Sequence, residues 1–170
     1  VANLVLDNFA FNCEMNLGAL AAISCGNTTI DGITIKNTTV AASGGWWGGG
    51  LIGWAYGNQT ISNINIDETN TVAQVSGHYD TAVGGIIGGC NNVDGESILI
   101  TDCNIACKLD VYNDCTANYD TNSYRNCGMI IGGVGEDNEF IGDDGKKYPD
   151  FRAKGLVFDN LVVTIGDWAN

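Results

Sequence analysis

Five short stretches of this chain share one four-residue pattern: an apolar residue, a small polar one, then Asn, Gly or Asp, then a second apolar one. They are Leu6-Asp7-Asn8-Phe9, Ile30-Asp31-Gly32-Ile33, Ile61-Ser62-Asn63-Ile64, Ile100-Thr101-Asp102-Cys103 and Phe158-Asp159-Asn160-Leu161. The third position carries the constraint, because Asn, Gly and Asp are the residues that enter the left-handed backbone region at low cost. One such residue bends a strand and lets the apolar side chains on both sides of it point inward. After each bend the apolar residues alternate, as Phe9 and Phe11, Ile33 and Ile35, Ile64 and Ile66, Cys103 and Ile105, Leu161 and Val163. Period two marks a strand with one buried face. Left-handed backbone is therefore expected at Asn8, Gly32, Asn63, Asp102 and Asn160.

A second, glycine-bracketed pattern precedes each of the last four bends: Leu17-Gly18-Ala19-Leu20, Gly49-Gly50-Leu51-Ile52-Gly53, Gly84-Gly85-Ile86-Ile87-Gly88 and Cys127-Gly128-Met129-Ile130. Each unit thus holds a glycine-rich strand, a turn, a bent strand and a return loop. Stacked coils that bury one continuous core explain such a repeat, and the widening intervals between bends mark insertions of growing length. With 24 Gly, 1 Pro and many β-branched residues, long helices are disfavoured. A 45% apolar content disfavours disorder. The predicted fold is all-β, a right-handed parallel β-helix (β-solenoid) of about four to five irregular coils with loop insertions. It is expected to form one segment over residues 1–170, with repeats around 3–11, 17–40, 49–74, 84–108 and 127–165. The start at Val1 in place of Met suggests processing or excision, and the segment is expected to belong to a longer chain or assembly.

The stretch from Gly49-Gly50-Leu51-Ile52-Gly53 through Ile61-Ser62-Asn63-Ile64 to Val72 resembles the GLUG-motif repeats of bacterial surface and secreted proteins. Gly84 to Ile105 is similar to a second copy, with Asp102-Cys103 where the motif has Asn-Cys, and the units at Gly18 and Gly128 are degenerate. The resemblance implies a β-helical architecture in adhesins and in non-catalytic parts of surface proteases. It implies no reaction.

The chain carries 7 Lys plus Arg against 20 Asp plus Glu, a net charge of −13. Such a field repels DNA and RNA, and no basic patch offsets it. An acidic surface suits calcium-rich extracellular fluid and also simply keeps a protein soluble. No apolar run approaches the length of about 18 residues that a membrane-spanning helix needs, and any signal or anchor is expected outside this stretch. The expected location is secreted or at the cell surface.

No assembled active site is legible. Cys13, Cys25, Cys90, Cys103, Cys107, Cys115 and Cys127 contain no Cys-x-x-Cys pair, and a single His leaves zinc spacings unmet. Cys103 stands where other units have Phe, Ile or Leu and is expected to be buried as a small apolar side chain. Cys115 and Cys127 flank an insertion and are candidates for a disulfide in an oxidising compartment. His78 falls in a return loop and reads as a solvated histidine. In the acidic insertion, Asp137, Asp143 and Asp144 are weak candidates for Ca²⁺, since the spacing matches no EF-hand and Lys146 and Lys147 adjoin it. A solvated acidic loop is the preferred reading, with no cofactor.

Trp46, Trp47, Trp54 and Tyr56 gather among glycines as a candidate binding surface: exposed, they form a sugar-stacking or protein-docking platform; buried, they fill space between coils. Asn27, Asn37 and Asn58 head Asn-x-Thr glycosylation sequences beside turns. Together these features point to a structural or adhesive, non-enzymatic module whose open coil ends stack on flanking domains or other copies, with glycans or a host or cell-surface protein as further partners. The competing reading is an ancillary or catalytic fragment of a polysaccharide-acting β-helix enzyme. For that chemistry the outward strand positions, mostly Thr, Asn, Ser and Asp, offer neither paired carboxylates nor a Ca²⁺ and base combination. An ice-binding face would need flat threonine ladders, which are lacking.

Overall fold

The computed structural model describes residues 1–42, 47–74, 81–91, 96–111, 125–134, 140–141, 147–148, 151–158 and 162–165. Among them every regular element is a β-strand. Four sheets are parallel throughout; a fifth, the hairpin Phe140–Ile141 with Lys147–Tyr148, is antiparallel.

The first sheet stacks Ala2–Asp7, Thr28–Lys36, Gln59–Ile66, Ile98–Thr101 and Phe151–Lys154 in that order, with Asn104–Ile105 also beside Gln59–Ile66. The second stacks Ala10–Cys13, Thr39–Ala42, Thr71–Gln74, Lys108–Val111 and Val162–Ile165. The third stacks Leu17–Gly18, Trp47–Gly49, Thr81–Gly84 and Arg125–Gly128, and the fourth Ala21–Ser24, Ile52–Tyr56, Ile87–Asn91 and Ile131–Val134. The chain therefore visits the four sheets in a fixed order and lays each new strand parallel on the previous one. A meander or sandwich would pair consecutive strands antiparallel.

Apolar side chains stack on apolar ones because the register is the repeat. Leu4, Ile33 and Ile64 form one inward column, and Leu6, Ile35, Ile66 and Ile105 another. Phe11, Val40, Val72 and Leu109 line the second sheet. From the second coil down these residues are at most 2% exposed, whereas Leu4, Leu6 and Phe11 of the first coil are only partly buried. Burying each such side chain contributes about 1.5–3 kcal/mol, so the columns supply the main driving force.

The bends lie where the pattern requires, with one correction at each end. Gly32, Asn63 and Asp102 have φ of 65°, 54° and 55°. On both sides of them Ile30 and Ile33, Ile61 and Ile64, and Ile100 and Cys103 all point inward. In the first coil, however, Ala2 pairs with Asp31 and Leu4 with Ile33, so Asn3 (φ 55°) stacks on Gly32. Asn8 does have positive φ, 64°, but its neighbour in register is Asn37 (φ 49°), at the corner between the first and second sheets. At the other end Ile100 pairs with Ala153 and Thr101 with Lys154, which makes Gly155 (φ 66°) the partner of Asp102. Asn160 lies outside the described residues. The first two coils bend twice with the same local signature, at Asn3 and Asn8 and at Gly32 and Asn37, and alternation alone does not say which bend is which.

Neighbouring bends also constrain one another. A side chain on Gly32 would come within 2.9 Å of Asn3 Oδ1, and one on Gly155 within 2.4 Å of Asp102 Oδ1. Between them Asn63 Nδ2 and Ser62 Oγ both donate to Asp31 Oδ1, at 2.7 Å each. Asn63→Val is expected to cost about 1–2 kcal/mol, because a β-branched residue resists positive φ. Urea unfolding should show a lower midpoint at unchanged slope; an unaltered midpoint would contradict the strain argument.

Candidate functional site

The glycine-bracketed segments are arches between the third and fourth sheets. Gly18, Gly49, Gly84 and Gly128 stack in register. A Cβ on Gly49, Gly84 or Gly128 would lie 1.9, 1.8 or 1.8 Å from the carbonyl oxygen of Ile52, Ile87 or Ile131. The chain there doubles back on itself with no room for a side chain. The arch tips abut the first sheet: the Cβ position of Gly50 is 3.0 Å from Ile66 Cδ1, and that of Gly85 is 2.8 Å from Ile105 Cγ2. Leu51 and Ile86 at these tips are fully buried.

At the other end of the arches lie the aromatic residues. Ile23, Trp54, Gly89 and Gly133 form one column of the fourth sheet. The missing side chain of Gly89 leaves a space whose Cβ position is 2.5 Å from both the Trp47 and Trp54 rings; that of Gly133 is 2.6 Å from Trp47. The two indoles meet at 4.5 Å, and Trp54 meets Tyr56 edge-on at 5.7 Å. Trp47 is half-buried, Trp54 is buried and Tyr56 is 42% exposed. The expected aromatic surface is thus divided: the indoles fill the glycine trough, and Tyr56 alone of the three presents a large exposed face. Trp46 lies outside the described residues.

Four buried polar atoms among the described residues lack a hydrogen-bond partner. Asn16 Oδ1, Trp54 Nε1 and Asn91 Oδ1 are buried without a hydrogen-bond partner, as is Asn104 Oδ1 in the first sheet. Asn16 precedes Leu17, which pairs with Gly48, so it occupies the Trp47 column; Asn91 pairs with Tyr56. No local motif marks Asn16 or Asn91 in the sequence, and only the register between coils reveals their position.

Cys103, Cys107 and Cys90 are buried, and Cys127 is half-buried. Cys103 fills the expected core position beside Ile64 and donates its thiol proton to Thr101 O. Desolvation pushes the Cys90 and Cys107 thiols up to about 12, and for Cys107 the Cys127 sulfur adds to the effect. Among the described residues no disulfide is present, and Cys127 is a free thiol. Cys115, His78, Asp137, Asp143 and Asp144 lie outside the described residues, and among those described no cluster of three or more metal-ligating side chains occurs.

Asn27, Asn37 and Asn58 are exposed, but they also brace neighbouring coils. Asn58 Nδ2 donates to Asn27 Oδ1 at 3.0 Å, Ser97 N donates to Asn58 Oδ1 at 2.8 Å, and Asn37 Nδ2 donates to Asp7 Oδ1 at 2.9 Å. Asp7 also pairs with Lys36 at 3.2 Å, and the Asn37 bond with that pairing holds its carboxyl below the usual carboxylate range. The residues following two of these asparagines, Thr38 and Gln59, are buried and hydrogen-bonded. No helix among the described residues is long and apolar enough to cross a membrane.

No protein-family model matches the chain, and no curated protein or solved structure matches it.

Proposed function

We propose that this chain is a structural and adhesive module of a secreted or cell-surface protein: a right-handed β-solenoid of about four to five coils that joins other coils through its open end. The carrying observation is the state of the first coil. Val1, Val5, Phe9, Met15 and Ile23, all within it, are among the large apolar residues that are 45–66% exposed. Leu4, Leu6 and Phe11 head columns that are otherwise buried. A solenoid edge of this kind presents unpaired backbone groups together with core side chains, which another coil satisfies at once. The resemblance of the glycine arches to GLUG-motif repeats supports the surface setting, and the polar, stacked outer positions support a scaffold over a catalyst.

Light scattering tests the reading. At about 0.1 mM the chain should associate into elongated particles, since uncovered edges pair. Leu6→Glu, which places a charge at the open end of a core column, should shift the distribution toward monomer. A wild-type chain that stays monomeric and soluble at that concentration would overturn the proposal.

A further inference from the structure

The outer end of the glycine arches holds an unmatched set of polar atoms inside an aromatic frame. Asn16, Trp47, Trp54, Tyr56 and Asn91 come from three successive coils, and stacking brings them together. Asn16 occupies the Trp47 column one coil earlier, since Leu17 pairs with Gly48. Trp47 and Trp54 share the space above Gly89, and Asn91 stands next to Tyr56 in register. Three of these residues carry a buried atom without a partner: two amide oxygens, which accept, and one indole N–H, which donates. Buried polar groups are ordinarily satisfied, so these three orphans need an explanation.

The composition of this set restricts what completes it. A carboxylate or phosphate cannot donate to two amide oxygens, and the net charge of −13 repels it. An ammonium group serves the oxygens but cannot accept from the indole. A hydroxyl group does both. Aromatic faces beside hydroxyl-matching groups suit a sugar ring, whose C–H face packs on the π-system while its hydroxyls reach polar atoms at the edge. We propose that this corner is a binding site for a neutral saccharide. Its ring stacks at Tyr56, and its hydroxyls donate to Asn16 Oδ1 and Asn91 Oδ1 and accept from Trp54 Nε1. Asn16 belongs to the first coil, so the site adjoins the open edge; saccharide binding is read by fluorescence and association by light scattering, and each can fail without the other.

Indole fluorescence supplies the test, because two of the residues report directly. The whole chain is titrated with neutral hexasaccharides of glucose, mannose, galactose and N-acetylglucosamine, and with a hexagalacturonate and an uncharged hexapeptide for contrast. At least one neutral sugar should give a saturable change with a dissociation constant of about 1 mM or tighter. Tyr56→Ala and Asn91→Leu should each weaken it at least tenfold while the circular dichroism spectrum is unchanged, and Asn104→Leu, which removes the orphan atom elsewhere, should leave it intact. If both site variants unfold, protection of Tyr56 from nitration by the bound sugar replaces them as the readout. Failure of all four neutral sugars to bind would overturn the proposal. So would preference for the galacturonate or the peptide, or binding indifferent to both variants.

Discussion

Gly84→Ala is expected to destabilise the chain by more than about 3 kcal/mol, enough to leave much of it unfolded at 37 °C, since domains carry only about 5–15 kcal/mol in total. The new methyl carbon would sit 1.8 Å from Ile87 O, 2.7 Å from Gly132 N and 2.8 Å from Ile87 C. All three are backbone atoms, and Gly132 belongs to the next coil, so no side-chain rotation relieves the clash. The arch would have to open, separating its tip at Gly85 and Ile86 from the first sheet. Gly26→Ala provides the comparison. Nothing lies within 4 Å of its Cβ position, but its φ is +77°, so it should carry only the left-handed penalty of about 1–2 kcal/mol. Urea unfolding of both variants decides the matter: equal losses at the two glycines would mean that the arches are not packed as closely as described.

The contrast between these glycines also separates what was legible in the sequence from what was not. Bends at Gly32, Asn63 and Asp102 follow from local chemistry, because each is the residue of its strand best able to enter the left-handed region, and Ile on either side needs an interior. The stacking of Gly18, Gly49, Gly84 and Gly128 follows from their repetition. The bend at Asn8 is left-handed as expected but occupies a different register position, for a physical reason. Leu6-Asp7-Asn8-Phe9 has the same composition as a mid-strand bend, yet the chain turns there between sheets, as it does again at Asn37. Hydrogen-bond register is a property of two strands, and neither strand encodes it alone. That the arch tips touch Ile66 and Ile105 was hidden likewise. So was the division of the aromatic cluster, since the space that swallows Trp47 is created by Gly89 and Gly133, more than forty residues later in the case of each.

At the corner of successive coils where the first sheet passes to the second, the same lesson takes a polar form. Thr38 and Asn70 are 1% and 2% exposed there, and Cys107 is fully buried. Lys108 N donates to Asn70 O and Thr71 N to Thr38 O, so the three stack. Asn70 holds a longer turn in place, its amide donating to Ile35 O and Asp67 O while its oxygen accepts from Thr38 N. One coil later a cysteine meets the requirement for a small buried side chain with no such bracket. The sequence shows three unlike residues, and only their common burial shows one structural position.

That cysteine makes the fold sensitive to alkali. Burial holds the Cys107 and Cys90 thiols at about 12, against about 8.5 for an exposed thiol. Between these values the folded chain binds more protons than the unfolded one, so stability falls as pH rises. The contribution is fully present below about pH 8.5 and disappears as pH approaches 12. Each shift corresponds to a few kcal/mol at the alkaline limit, and by pH 10.5 the two thiols together should remove on the order of 5 kcal/mol. Lysines lose charge over the same range, so the cysteine share has to be isolated. The expected result is a steep loss of urea-unfolding free energy between pH 8 and about 10.5 in the wild type and a flatter profile in Cys90→Ala/Cys107→Ala, which starts lower because it loses packing. Parallel profiles for the two proteins would show that these thiols are not held protonated by the core, and would remove their burial in the third and fourth coils from the account of stability.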